Sequence, residues 1–76
     1  MIQINNIEVD TTLNSIHILY KNLVNYTFEL SVADTINLNI NDKLAISVND
    51  LLVEIIVNYI YYDVKQQKYT IIGGRV

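Results

Sequence analysis

The stretch Tyr26-Thr27-Phe28-Glu29-Leu30-Ser31-Val32 decides the fold. Four large apolar residues alternate with three polar ones, the period-two pattern of an antiparallel strand with one face in a core and the other in water. Upstream, Ile16, Ile18 and Tyr20 alternate with Ser15, His17 and Leu19 to predict a second strand. Asp10-Thr11-Thr12 and the run from Lys21-Asn22 to Asn25 provide turn chemistry on either side of it. Ile2 and Ile4 begin the same rhythm, which resumes one residue out of phase at Ile7 and Val9. A bulge or tight turn at Asn5-Asn6 restores the facing.

Downstream, Leu44, Ile46 and Val48 alternate with Lys43, Ala45 and Ser47 up to Asn49-Asp50, and a new apolar run opens at Leu51. Two turn-prone residues between two β-rich runs predict a hairpin with a tight loop of the primed type. The returning strand, Leu51 to Tyr62, has Leu51, Val53, Ile55, Val57, Tyr59 and Tyr61 on one face. Its other face, Leu52, Glu54, Ile56, Asn58, Ile60 and Tyr62, is nearly as apolar, as in a strand covered on both sides or curling around a barrel. Helical spacing also fits Leu51, Leu52, Ile55, Ile56, Tyr59 and Ile60, but the β-branched and aromatic content and the missing caps favour the strand. Ile36 to Ile40 reads as an edge strand or an extended connection, and Asp63 to Lys68 as a polar turn. A last strand covers about Tyr69 to Ile72 and ends at Gly73-Gly74-Arg75. About six short strands at roughly ten-residue spacing predict an all-β fold, a small antiparallel β-barrel or sandwich forming a single domain over residues 1–76.

Composition supports a folded chain and removes several functions. Of the 76 residues 51% are apolar and 17% charged, too hydrophobic a balance for intrinsic disorder. Without cysteine there are no disulfides, zinc thiolates or thiol nucleophiles, and two glycines cannot make a phosphate-binding loop. The most apolar run, Leu44 to Tyr62, carries Asn49, Asp50, Glu54 and Asn58, so it does not read as a membrane span. No secretory signal is read at the N-terminus.

Residues able to carry chemistry are few. His17, the lone histidine, lies on a strand opposite the Ile16 and Ile18 face and reads as solvent-facing. Glu8 and Asp10 sit two apart, as strand alternation alone produces. Asn37, Asn39, Asn41 and Asp42 resemble half a calcium loop without its glycine or its distal glutamate. The reading therefore assigns no catalytic, cofactor-binding or metal-binding residue and predicts no enzyme. Tyrosines 59, 61, 62 and 69 with Lys65, Lys68 and Arg75 offer an alternative, a small OB-type barrel binding single-stranded nucleic acid. Asp63 within the cluster and a net charge of −3 weigh against it. The apolar surplus points instead to protein contacts, with Leu51, Val53, Ile55, Val57, Tyr59 and Tyr61 as the candidate interface.

The order of these elements resembles the first domain of phage tail baseplate hub proteins of the late-control type. Tyr26 to Val32 is similar to the family's early "sFelsv" strand. Ile40-Asn41-Asp42-Lys43-Leu44-Ala45-Ile46-Ser47-Val48 is similar to its Gly-Asp element followed by an alternating strand. Val57-Asn58-Tyr59-Ile60, Asp63-Val64 and Tyr69-Thr70-Ile71-Ile72-Gly73-Gly74-Arg75 match its long strand, acidic turn and Gly-Arg ending. Asn41 and Asn58 stand where that family usually has glycine. The family's proteins are several times longer than this chain. The resemblance implies a small barrel related to tail-tube domains that assembles into homo-oligomeric rings, contacts other tail or baseplate proteins and has no catalytic residues. It places the chain in the virion tail after synthesis in the host cytoplasm.

Overall fold

The computed structural model describes residues 1–76. Their alternating apolar runs form seven strands and no helix: β1 (Ile2–Ile4), β2 (Ile7–Glu8), β3 (Leu13–Lys21), β4 (Asn25–Val32), β5 (Lys43–Val48), β6 (Leu51–Asp63) and β7 (Lys68–Arg75). All pair antiparallel in one sheet of order β2-β1-β5-β6-β7-β4-β3. The sheet does not close, since β2 and β3 stay at its two ends. It curls into a body of 30 × 25 × 24 Å, with the apolar face of each long strand turned inward.

The core is the deciding stretch plus what it meets. Tyr26, Phe28, Leu30 and Val32 from β4 join Leu44 and Ile46 from β5, Val53, Ile55 and Val57 from β6, and Tyr69 and Ile71 from β7. Ile2 and Ile36 complete it. The segment from Ile36 to Ile40 is an extended connection rather than a strand. It is tied to the core where the Ile36 backbone N–H donates to the Tyr69 hydroxyl at 3.1 Å. The Tyr69 ring in turn packs on Tyr62, centroids 4.6 Å apart.

Four of the five residues with positive φ in this chain are asparagines, the fifth being Gln67 in the β6–β7 turn. Asn5 and Asn6 both take positive φ (51° and 68°), the requirement of a type I′ hairpin, so Ile4 pairs with Ile7 and the phase slip in the sequence is absorbed. At Asn49-Asp50 only Asn49 has positive φ, as in a II′ turn, and Val48 pairs with Leu51. Asn41 also sits in the left-handed region, at 75°. Asparagine is the side chain that tolerates this region best. Neither glycine has positive φ.

Those glycines do not end the last strand, as the sequence reading expected. β7 runs on to Arg75, because Gly73 and Gly74 pair on one side with Tyr26 and Asn25 and on the other with Val57 and Ile56.

Asp42 holds the Asn5-Asn6 turn to the start of β5. Its carboxylate accepts from the Asn5 side-chain amide at 3.0 Å and from the Asn39 backbone N–H at 2.9 Å. These two donors, the Asn5 amide foremost, keep its pKa below the ordinary carboxylate value. A depressed pKa stabilises the fold above the unfolded-state value, about 3.9, and the contribution is lost as the pH falls through the folded value. Asp42→Asn should therefore lower the urea midpoint at neutral pH, and the gap to wild type should narrow on acidification below the ordinary carboxylate range. A gap that stays constant across that range would remove the charge from the account.

Candidate functional site

β6 changes faces partway along. Val57 pairs with Gly73 and Tyr59 with Ile72, so Asn58 is an extra residue and forms a bulge. The six residues expected to share an interface are thereby divided. Val53, Ile55 and Val57 are fully buried in the core, and Leu51 is half-buried, packed against it. Past the bulge the parity reverses: Tyr59 and Tyr61 point outward, 47% and 53% exposed, while Ile60 and Tyr62 pack against the core. The expectation of one face from Leu51 to Tyr61 is thus corrected. The accessible face of this strand carries Leu52, Glu54, Ile56, Tyr59 and Tyr61.

Cross-strand partners in an antiparallel sheet project to the same side, so the register maps the outer surface. One row runs Tyr20, Thr27, Ile72, Tyr59 across β3, β4, β7 and β6. The next runs His17, Glu29, Thr70, Tyr61. Below them Ile56 lies between Gly74 and Lys43. Tyr59, Tyr61 and Ile72 therefore form a patch in the middle of the sheet, continued by Ile56. Tyr20 joins this face because a register shift between Ile18 and Tyr20 makes Leu19 the extra residue of β3. Unbroken alternation would instead put Tyr20 on the face of Ile16 and Ile18, and the register shift is what separates them.

A second apolar feature was not singled out from the sequence. Between Asn22 and Asn25, in what reads as ordinary turn chemistry, Leu23 and Val24 are 92% and 65% exposed at the tip of the β3–β4 hairpin. The tip is held from behind. The Asn22 side-chain oxygen accepts from the backbone N–H groups of Val24 (2.8 Å) and Asn25 (2.7 Å). Arg75 donates its backbone N–H to the Val24 carbonyl at 2.7 Å and its guanidinium to the Asn22 carbonyl at 2.8 Å. Lys21 and Arg75 both lie over the Tyr26 ring, 5.4 and 4.9 Å from its centroid. Two aliphatic residues flanked by asparagines were the sequence signal for this tip.

The other candidates find ordinary places. His17 is exposed opposite Glu29 on the outer face. Glu8, on the edge strand β2, stands opposite Gln3, and Asp10 follows in the connection to β3. Both Asp42 oxygens are used by Asn5 and Asn39, and nowhere do three His, Asp or Glu side chains gather as metal ligands would. The tyrosine cluster considered for base stacking is split, with Tyr62 and Tyr69 turned inward and Tyr59 and Tyr61 outward. Glu29 and Glu54 share the outward side with them. No helix is long and apolar enough to cross a membrane. No family model, curated protein or solved structure matches this chain.

Proposed function

We propose that this chain is a structural assembly domain of a phage tail or related contractile injection machine, of baseplate-hub or tube-like type, working through protein–protein contacts rather than catalysis. The observation that carries this reading is the outer-face patch of Tyr59, Tyr61, Ile72 and Ile56 on a sheet whose inner face is already filled. Tyrosine suits a protein interface, because the ring packs while the hydroxyl stays hydrated. The order of strands and turns that resembles the hub domain adds to it. So does the positive φ of Asn41, which stands where that family has glycine. On this reading the chain forms homo-oligomers and contacts other tail proteins in the virion. The carboxylate of Glu29, in the same cross-strand row as Tyr61, and that of Glu54 further along the outward side of β6 disfavour a nucleic-acid strand on this face.

Tyr59→Ser with Tyr61→Ser tests it. Both side chains are half exposed, so the unfolding midpoint should move little, within about 0.5 kcal/mol per site. Size-exclusion chromatography with light scattering should show wild-type oligomers at high concentration and a shift toward monomer in the double variant. A strictly monomeric wild type, or tight salt-dependent binding of single-stranded oligonucleotides through these tyrosines, would count against the assembly reading.

A further inference from the structure

We infer that two copies of this domain pair edge to edge through β3, antiparallel and about a two-fold axis at His17, so that their two sheets run on as one. The inference rests on the assembly reading above for its partner, a second copy, but uses a different surface. β3 ends the sheet and bonds to β4 alone. No backbone hydrogen bond outside the strand ladders begins or ends on residues 13–21, so the other edge of this nine-residue strand has no partner within the chain. A bare edge of N–H and C=O groups is a template for another strand.

The two edges of the sheet are not alike. β2, at the far edge, is two residues long and carries Glu8, the short and charged kind of edge that resists pairing. β3 has neither guard: from Thr11 to Tyr20 the chain holds no Asp, Glu, Lys, Arg or Pro. Its bulges at Asn14 and Leu19 bend the strand near both ends and leave a regular run, residues 15–18, between them. Among copies of this chain only β3 itself offers a free edge of that length, so the pairing is isologous and stops at two.

The register follows from the faces. A two-fold axis normal to the sheet keeps the inner faces together, and centring it on His17 sets Ile16 of each copy opposite Ile18 of the other. Both isoleucines are half-buried against the core, and each has a strand neighbour, Leu30 or Phe28 of β4, on one flank only. The second copy supplies the other flank. A centre on Ile16 would set Ile18 opposite Asn14, and one on Ile18 would set Ile16 opposite Tyr20, so His17 is the centre that gives both an aliphatic partner. On the outer side His17 then meets His17 of the second copy, with Glu29 behind each. The tyrosine patches of the two copies come to lie on the same side of the joined sheet.

Cysteine cross-linking tests the contact and its register together, since the chain has no cysteine of its own. Directly opposed residues of an antiparallel pair lie about 4.5–5.5 Å apart at Cα, within reach of a disulfide. His17→Cys should therefore oxidise to a covalent dimer at least about tenfold faster than Ser15→Cys, whose two copies would stand four residues, roughly 13 Å, apart along the strands. Both positions are exposed, and unchanged thermal midpoints show that the variants fold. In sedimentation velocity, His17→Lys should weaken dimerisation about fivefold, because it sets two like charges face to face in the dimer. Within one copy the same lysine stands opposite Glu29, so the fold itself is not weakened. Equal cross-linking of the two cysteine variants, or a dimer that His17→Lys leaves unchanged, overturns the edge pairing. Association lost in Tyr59→Ser with Tyr61→Ser but intact in His17→Lys overturns it while leaving the assembly reading in place. Fast cross-linking at position 17 with association untouched by the tyrosine changes supports the edge pairing and removes the outer-face patch instead.

Discussion

Phe28→Ala should cost about 3–5 kcal/mol, the range for truncating a buried aromatic side chain. Phe28 is fully buried and sits mid-strand on β4, paired with Ile18 on one side and Ile71 on the other. The core it belongs to is built from side chains of β4, β5, β6 and β7 together, each held in its own strand register. A chain of 76 residues has a total stability of only about 4–11 kcal/mol. The variant should therefore be partly unfolded at 37 °C. At a urea slope of about 1–3 kcal/mol/M, its midpoint should fall by at least about 1 M. A fall of much less than that would mean the core relaxes into the space, and that β4 is not its organiser.

Gly73→Ala should destabilise by about 1–3 kcal/mol, while the same change one residue later should not. A methyl group on Gly73 would lie 2.8 Å from both the Ile55 Cβ and the Ile56 carbonyl oxygen, and closer still to the Ile55 Cδ1. Two of these three atoms belong to backbone or to the rigid base of a buried side chain, so neither can swing away. At Gly74 the nearest atoms, the Asn58 amide nitrogen and the Val24 carbonyl oxygen, are 3.9 and 4.0 Å from the new methyl. Gly74→Ala is therefore expected to be neutral or to stabilise by about 0.4–1 kcal/mol, through the lower entropy of its unfolded chain. Parallel thermal or urea melts decide the matter. Equal effects at the two positions would show that packing against β6 is not what calls for glycine at 73.

The candidate surface was half legible before the structure. Tyr59 and Tyr61 stand out in the sequence, and both are accessible. Val53, Ile55 and Val57 were grouped with them because strict alternation from Leu51 assigns them the same face. The bulge at Asn58 breaks that parity, and no residue type announces it, since asparagine also serves this chain in four positive-φ positions. The Leu23-Val24 tip escaped for a related reason. Exposure of an aliphatic side chain depends on where its hairpin ends relative to the core, and a hairpin with the same residues can fold its tip inward.

Period-two alternation was sufficient to establish an antiparallel β domain, because burial on one face only is the one arrangement that rewards every second residue. The asparagine turns and the tight hairpins were equally local, since a positive φ is a property of one residue and its immediate neighbours. Strand order, the open ends at β2 and β3, the extension of β7 through two glycines and the reversal of faces at Asn58 all depended on strands far apart in the chain. The Gly73 methyl has no room because of Ile55 and Ile56, and the outer row joins tyrosines 20 and 59 through Thr27 and Ile72. Such proximities are set by the free energy of the whole packed sheet, and a list of residues in chain order does not contain them.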